Sequence, residues 1–179
     1  NFDESAYEFE KSIHEQRIAL DEERMALDEQ YHEERRQLEN SPMGQDSGAW
    51  ERLDRDHQNR MQDIDARYQA LDEQAHSYWN DRQRSELDDR RREFEEEWER
   101  RRNEEGEHFD ESVYEFEKSM HEQRIALDEE RMALDEQYHE ERRQLENSPM
   151  GQDSGAWERL DRDHQNRMQD IDARYKALD

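Results

Sequence analysis

From residue 49 onward, apolar and aromatic side chains fall at Trp50, Leu53, His57, Met61, Ile64, Tyr68, Leu71, Ala75 and Tyr78, in steps of three and four. That spacing keeps one face of a helix apolar and excludes the alternation of a strand. Before residue 40, Phe2, Ala6, Phe9, Ile13, Leu20, Leu27, Tyr31 and Leu38 share a second helical face. Arg17 and Arg24 fill its vacant steps, where their aliphatic stems cover apolar surface while the guanidinium stays wet. Between the two faces lies Asn40-Ser41-Pro42-Met43-Gly44-Gln45-Asp46-Ser47-Gly48, a loop by composition, in which Asp46 or Ser47 supplies an N-cap. A short loop between two apolar faces predicts an antiparallel pair. Leu38 then lies opposite Trp50, Tyr31 opposite His57, Leu27 opposite Met61, Leu20 opposite Tyr68, Ile13 opposite Ala75 and Phe9 opposite Trp79.

The pattern occurs twice. Residues 2–72 recur as residues 109–179, and 68 of the 71 aligned positions are identical. The differences are Ala6 to Val113, Ile13 to Met120 and Gln69 to Lys176. Self-similarity at a fixed period of 107 residues is the mark of an array. The predicted organisation is a first unit over residues 2–108 and an incomplete second unit over residues 109–179. The chain starts at Asn1 rather than Met, so it is expected to be a fragment.

Within the first unit the expected elements are a helix over 2–39, a loop over 40–48 and a long helix from 49 whose residues 81–108 form a charged linker. Glu86 with Arg90, Asp88 with Arg92, Glu96 with Arg100 and Glu97 with Arg101 are acid-before-base pairs four apart, as in a solvated helix. Leu87, Phe94 and Trp98 keep a sparse apolar stripe, and the eleven residues from Trp98 to Phe109 keep its phase across Gly106. Asn103 to Gly106 and His76 to Asp81 are weaker break signals. The spacing favours one uninterrupted helix from 49 to 146, roughly 150 Å at about 1.5 Å per residue. A loop over 147–155 and a helix over 156–179 complete the second unit. The fold class is therefore all-α, with long helices in antiparallel coiled-coil hairpins. The alternative is a spectrin-like three-helix repeat, with its second loop at Ser77 to Asp81.

Composition sharpens this picture. Only 29% of the residues are hydrophobic, 45% are charged, and the formal net charge is −26. Leu, Ile, Val and Phe number 22 of 179, a level at which a chain without helical periodicity stays disordered. Two Pro and five Gly leave the helices uninterrupted over long stretches. With no Cys there is no disulfide framework, thiol nucleophile or Cys-based zinc site. Apolar runs of three residues span no membrane. The acidic balance argues against nucleic acid, whose phosphates need clustered Lys and Arg.

Site chemistry is sparse. Of the eight His, none of His14, His32, His57, His76 and His108 has a second His three or four residues away, as a helical zinc site requires. The 53 Asp and Glu favour weak association with divalent cations, but Asp46-Ser47-Gly48 lacks the order of an EF-hand loop. Carboxylate pairs are everywhere, so none marks a catalytic dyad, and a pair of helices offers no pocket to shift a pKa. The expectation is a protein that is not an enzyme, with no cofactor, no metal site and no small-molecule substrate. Trp79, Phe94 and Trp98 are the candidate interaction residues. They either fill seams or join neighbouring hairpins and partner helices.

The run Glu33-Glu34-Arg35-Arg36-Gln37-Leu38-Glu39, followed by a Pro-containing breaker and a helix containing Asp63-Ile64-Asp65-Ala66-Arg67-Tyr68, resembles the tandem-repeat cytoskeletal antigens of kinetoplastid parasites. That resemblance implies a flagellar or microtubule-associated, cytoplasmic location and strong antigenicity. The expected function is a structural scaffold, an elongated helical spacer that contacts itself or a basic cytoskeletal partner. The alternative is an acidic, low-affinity calcium-buffering or mineral-associated protein. Self-repulsion at −26 predicts that helix content measured by circular dichroism rises with added salt. A flat response would show that charge does not limit folding.

Overall fold

The structure, a computed structural model, describes residues 2–179 and is all-α. Its helices are α1 (Glu4–Glu39), α2 (Ser47–Glu105), α3 (Glu111–Glu146) and α4 (Ser154–Leu178). The chain divides into two compact units, Asn1–Trp79 and Asn80–Asp179. α2 contributes residues 47–79 to the first unit and 80–105 to the second.

Each helix start is set by a side chain. Asp3 caps α1 by accepting from the Ala6 amide at 3.1 Å. Asp110 caps α3 by accepting from the Ser112 and Val113 amides at 3.0 and 3.3 Å. The Ser112 hydroxyl and the Val113 amide hold the Asp110 carboxyl below its ordinary pKa. Asp46 and Asp153 accept from the Gly48 and Gly155 amides, each at 2.9 Å. Such caps satisfy amides that have no partner inside the helix.

The Pro-Gly loop is a single 3-10 turn, Pro42–Gln45 in the first unit and Pro149–Gln152 in the second. Ser41 ties it down by donating its hydroxyl to the Leu38 carbonyl at 2.9 Å and accepting from the Met43 amide at 3.2 Å. Trp50 folds back and donates its indole N–H to the Gly44 carbonyl at 3.0 Å. A Cβ at position 44 would lie 2.8 Å from the Leu38 carbonyl oxygen, so the closeness of this turn requires glycine.

In the first unit α1 and residues 47–79 of α2 run antiparallel. Tyr31 stacks on His57 with ring centres 4.0 Å apart. Ile13, Leu20 and Leu71 form a buried cluster against which Phe9 and Tyr68 pack. Phe9 stacks on Tyr78, centres 3.8 Å apart, rather than on Trp79, one position beyond. Arg17 pairs with Asp72 at 2.9 Å and Arg67 with Glu23 at 2.8 Å. Both pairs are solvent-exposed, where such bridges contribute little, so the apolar row carries the pairing.

The second unit repeats this pair with α3 and α4: Tyr138 stacks on His164 at 4.0 Å, and Arg174 meets Glu130 at 2.7 Å. It also has a third helix. The uninterrupted helix expected from 49 to 146 does not form. α2 ends at Glu105, Gly106–His108 make a 3-10 turn, and α3 starts at Glu111. Gly106 has φ +56°, a left-handed conformation that turns the chain back and that glycine adopts without strain. Residues 81–105 are consequently not a solvated linker. They lie antiparallel along α3, with Leu87 and Trp98 buried. The second unit therefore has three helical segments. Its break falls at Gly106, and residues 77–81 lie inside α2.

This turn fixes the sign of a substitution. Gly106→Ala should destabilise the second unit by about 1–2 kcal/mol, the cost of a left-handed non-glycine residue, and Gly106→Asn by less. In a continuous helix the same Ala would stabilise by about 1 kcal/mol. Urea unfolding followed by Trp fluorescence measures which sign holds.

Candidate functional site

The side chains most suggestive of recognition gather where residues 80–105 meet α3. Trp98 is buried, with its ring centre 5.4 Å from Tyr114 and 6.0 Å from Phe109. The Arg101 guanidinium lies over the Trp98 ring at 4.1 Å. Arg102 lies over Phe109 and Tyr114 at 5.0 and 5.1 Å. Phe94 stacks flat on His121, centres 4.2 Å apart and planes 7° apart. Trp98 and Phe94 are thus interior or half-interior residues of the second unit. Trp79 belongs to the first unit, where it is partly exposed and donates its indole N–H to Glu10 at 2.8 Å. The three candidate interaction residues do not form one cluster.

An ionic row runs along the same interface. Arg84 meets Glu136 at 3.0 Å, Arg90 meets Asp128 at 2.6 Å, Arg91 meets Glu129, and Arg102 meets Glu111 at 3.1 Å. Asn80 also donates to Glu136. These partners lie on α3, whereas the sequence offered Arg90 a partner on its own helix at Glu86. Glu86 instead lies 3.7 Å from Arg82. Arg92 pairs with Asp89 and Glu96 and Arg101 with Glu105, all within the helix.

Asp128 joins all three helical segments. It accepts from Arg90 of α2 and from the Tyr175 hydroxyl of α4. Burial, then the hydrogen bond to Asp128 and its charge, push the Tyr175 hydroxyl up to about 12, against the opposing charges of Arg131 and Arg90. Tyr68, its counterpart in the first unit, is raised chiefly by its hydrogen bond to Asp21. Burial leads only where a third helix is present.

His121 is the other perturbed group. Its Nε2 is buried without a hydrogen-bond partner. Burial and the nearby charge of Arg90 lower its pKa, against a hydrogen bond to the Arg90 backbone and the charges of Glu122 and Glu95. A proton here would sit against Phe94 and facing an arginine.

The sequence reading missed the face of α3 that receives the third helix. Tyr114, His121, Ile125, Asp128, Met132 and Glu136 follow one another in helical steps, and each is buried or half-buried. Ile125 and Met132, which the first seam leaves unused, were the available signal. Shallow grooves flank this contact. One is lined by Arg84, Leu87, Arg91, Glu129, Met132 and Glu136, and it opens to solvent. Among the described residues no group of three or more His, Asp or Glu is placed to hold a metal ion. No described helix is long and apolar enough to cross a membrane. No family model, curated protein or solved structure matches the chain.

The lowered pKa of His121 sets a pH dependence. The unfolded imidazole takes up its proton near 6.5, while the folded one resists it until lower pH. Its contribution to stability is therefore complete above pH 6.5 and is lost as pH falls. His121→Phe keeps the stack and removes the titration. Its stability relative to the unsubstituted chain should rise between about pH 7.5 and about pH 5.5. Urea midpoints across that range measure the change. A constant difference would show that burial does not resist the proton.

Proposed function

We propose that this chain is a structural repeat protein whose work is helix-to-helix assembly, with the cytoskeleton as its setting. The observation that carries the reading is the composition of its interior. Among the described residues the buried side chains are Ile13, Leu20, Ile64, Leu71, Leu87, Trp98, Tyr114, Ile125, Leu127 and Ile171, all apolar or aromatic, and they lie in rows along helix faces. A chain that is 29% hydrophobic thus devotes its scarce apolar side chains to holding helices together. Its charged groups lie at the surface, where pairs such as Arg90 with Asp128 set which helix meets which. The near-identity of residues 2–72 and 109–179 supports presentation of the same helical surface once per repeat. Like charge disfavours direct docking to an acidic lattice, so a basic partner suits this segment. The cytoskeletal setting rests on the resemblance of the repeat style to kinetoplastid antigens. The reading assigns no catalytic role.

Two measurements test it. In detergent-extracted cells a fluorescent fusion should stay with the insoluble fraction, and complete extraction would remove the cytoskeletal assignment. Titration with Ca²⁺ to about 1 mM should show no saturable site and no gain in helix beyond that given by monovalent salt of the same ionic strength. Several saturable sites at that level, with a gain in order, would show instead that carboxylate density is the function.

A further inference from the structure

The two units contain nearly the same α-helix in two different surroundings. Phe2–Glu39 and Phe109–Glu146 differ only at Ala6 and Ile13. Tyr114 is 8% exposed and its counterpart Tyr7 48%. Ile125 is 1% exposed and Ile18 42%. Met132 is half-buried, while Met25 is 66% exposed. Local sequence cannot account for the contrast. What differs is residues 80–105, which lie along α3 of the second unit.

Phe2, Tyr7, Ile18 and Met25 are therefore an apolar stripe with a known mould. The acids around it match as well. Asp128, Glu129 and Glu136 take Arg90, Arg91 and Arg84. Their counterparts Asp21, Glu22 and Glu29 stand exposed along α1. Residues 80–105 carry eight of the chain's 27 Lys and Arg, all of them Arg. Arg suits this face because its planar fork meets a carboxylate through two N–H groups while its stem covers apolar surface.

We propose that the α1 face formed by Phe2, Tyr7, Ile18 and Met25 is a docking site for a helix with the sequence of residues 80–105, supplied by another unit of the same repeat. The incoming helix lies antiparallel to α1. It sets its Leu87 beside Met25, its Phe94 on His14 and its Trp98 against Tyr7, and its Arg84, Arg90 and Arg91 reach Glu29, Asp21 and Glu22. The proposal rests on the structural reading above and names the surface through which units join.

A synthetic peptide of residues 80–110, added to the full chain and followed by fluorescence anisotropy, tests it. The expected result is saturable one-to-one binding that weakens as salt is raised. Ile18→Glu with Met25→Glu, at two exposed positions and with circular dichroism checking that the fold is kept, should weaken binding at least tenfold. A peptide with Arg84, Arg90 and Arg91 changed to Glu should fail to bind. The chain has no Cys, so Met25→Cys with a Leu87→Cys peptide should form a disulfide under mild oxidation, and Gln16→Cys should not. Absence of saturable binding, or binding unaffected by the Ile18 and Met25 changes, would overturn the proposal. A concentration-dependent dimer of the chain abolished by Ile18→Glu but unaffected by changing its Arg84, Arg90 and Arg91 to Glu would overturn it too, because the occupant would then be a second α1 face. Either failure, with the Ca²⁺ titration still silent, would leave the structural reading standing and remove only the docking site.

Discussion

Apolar surface in this chain is available only as single rows, and a row is buried only when another helix lies against it. At 29% hydrophobic content no described helix is greasy on more than a stripe or two. The folded state depends on side chains such as Ile13, Leu20 and Leu71 meeting in file between antiparallel helices. Everything else serves that contact. Asp3, Asp46, Asp110 and Asp153 start the helices, and the Pro-Gly turns reverse them. Exposed ion pairs select a register while adding little stability of their own.

The third helix shows how such a design is extended. It is the most charged stretch of the chain, yet it buries Leu87 and Trp98. It adds a second row to α3 on a face distinct from the one facing α4. Asp128 lies where these contacts converge and accepts hydrogen bonds from both neighbours, which links the packing of α2 to that of α4 through one carboxylate.

How much of this was legible in the sequence follows from where each signal resides. The antiparallel row between α1 and α2 was readable because steps of three and four persist on both sides of the loop and large residues fall opposite one another, as Tyr31 and His57 do. The turn at Gly106 was misread for a physical reason. Trp98 and Phe109 were seen to share a face, and they do share one cluster, 6.0 Å apart. A helix that continues and a helix that reverses both bring them to the same side, so phase alone could not choose. The ionic row was hidden because Arg90 has an acid four residues before it and its true partner, Asp128, on another helix. The face of α1 and α3 bearing Ile18 and Ile125 was overlooked because one seam already explained the helix. Of the candidate site, Phe94 and Trp98 were found as residues, with seam filling and partner contact both open, and the buried Trp98 fills a seam.

The five residues from Gly106 to Asp110 have one more effect. They hold residues 80–105 beside α3 at an effective concentration of millimolar order, as short tethers do. In the proposed pairing, two receptors as similar as α1 and α3 offer almost the same chemistry to an arriving helix. Which of them is filled is therefore decided by covalent proximity, and the specificity of the fold at this point is written in chain connectivity.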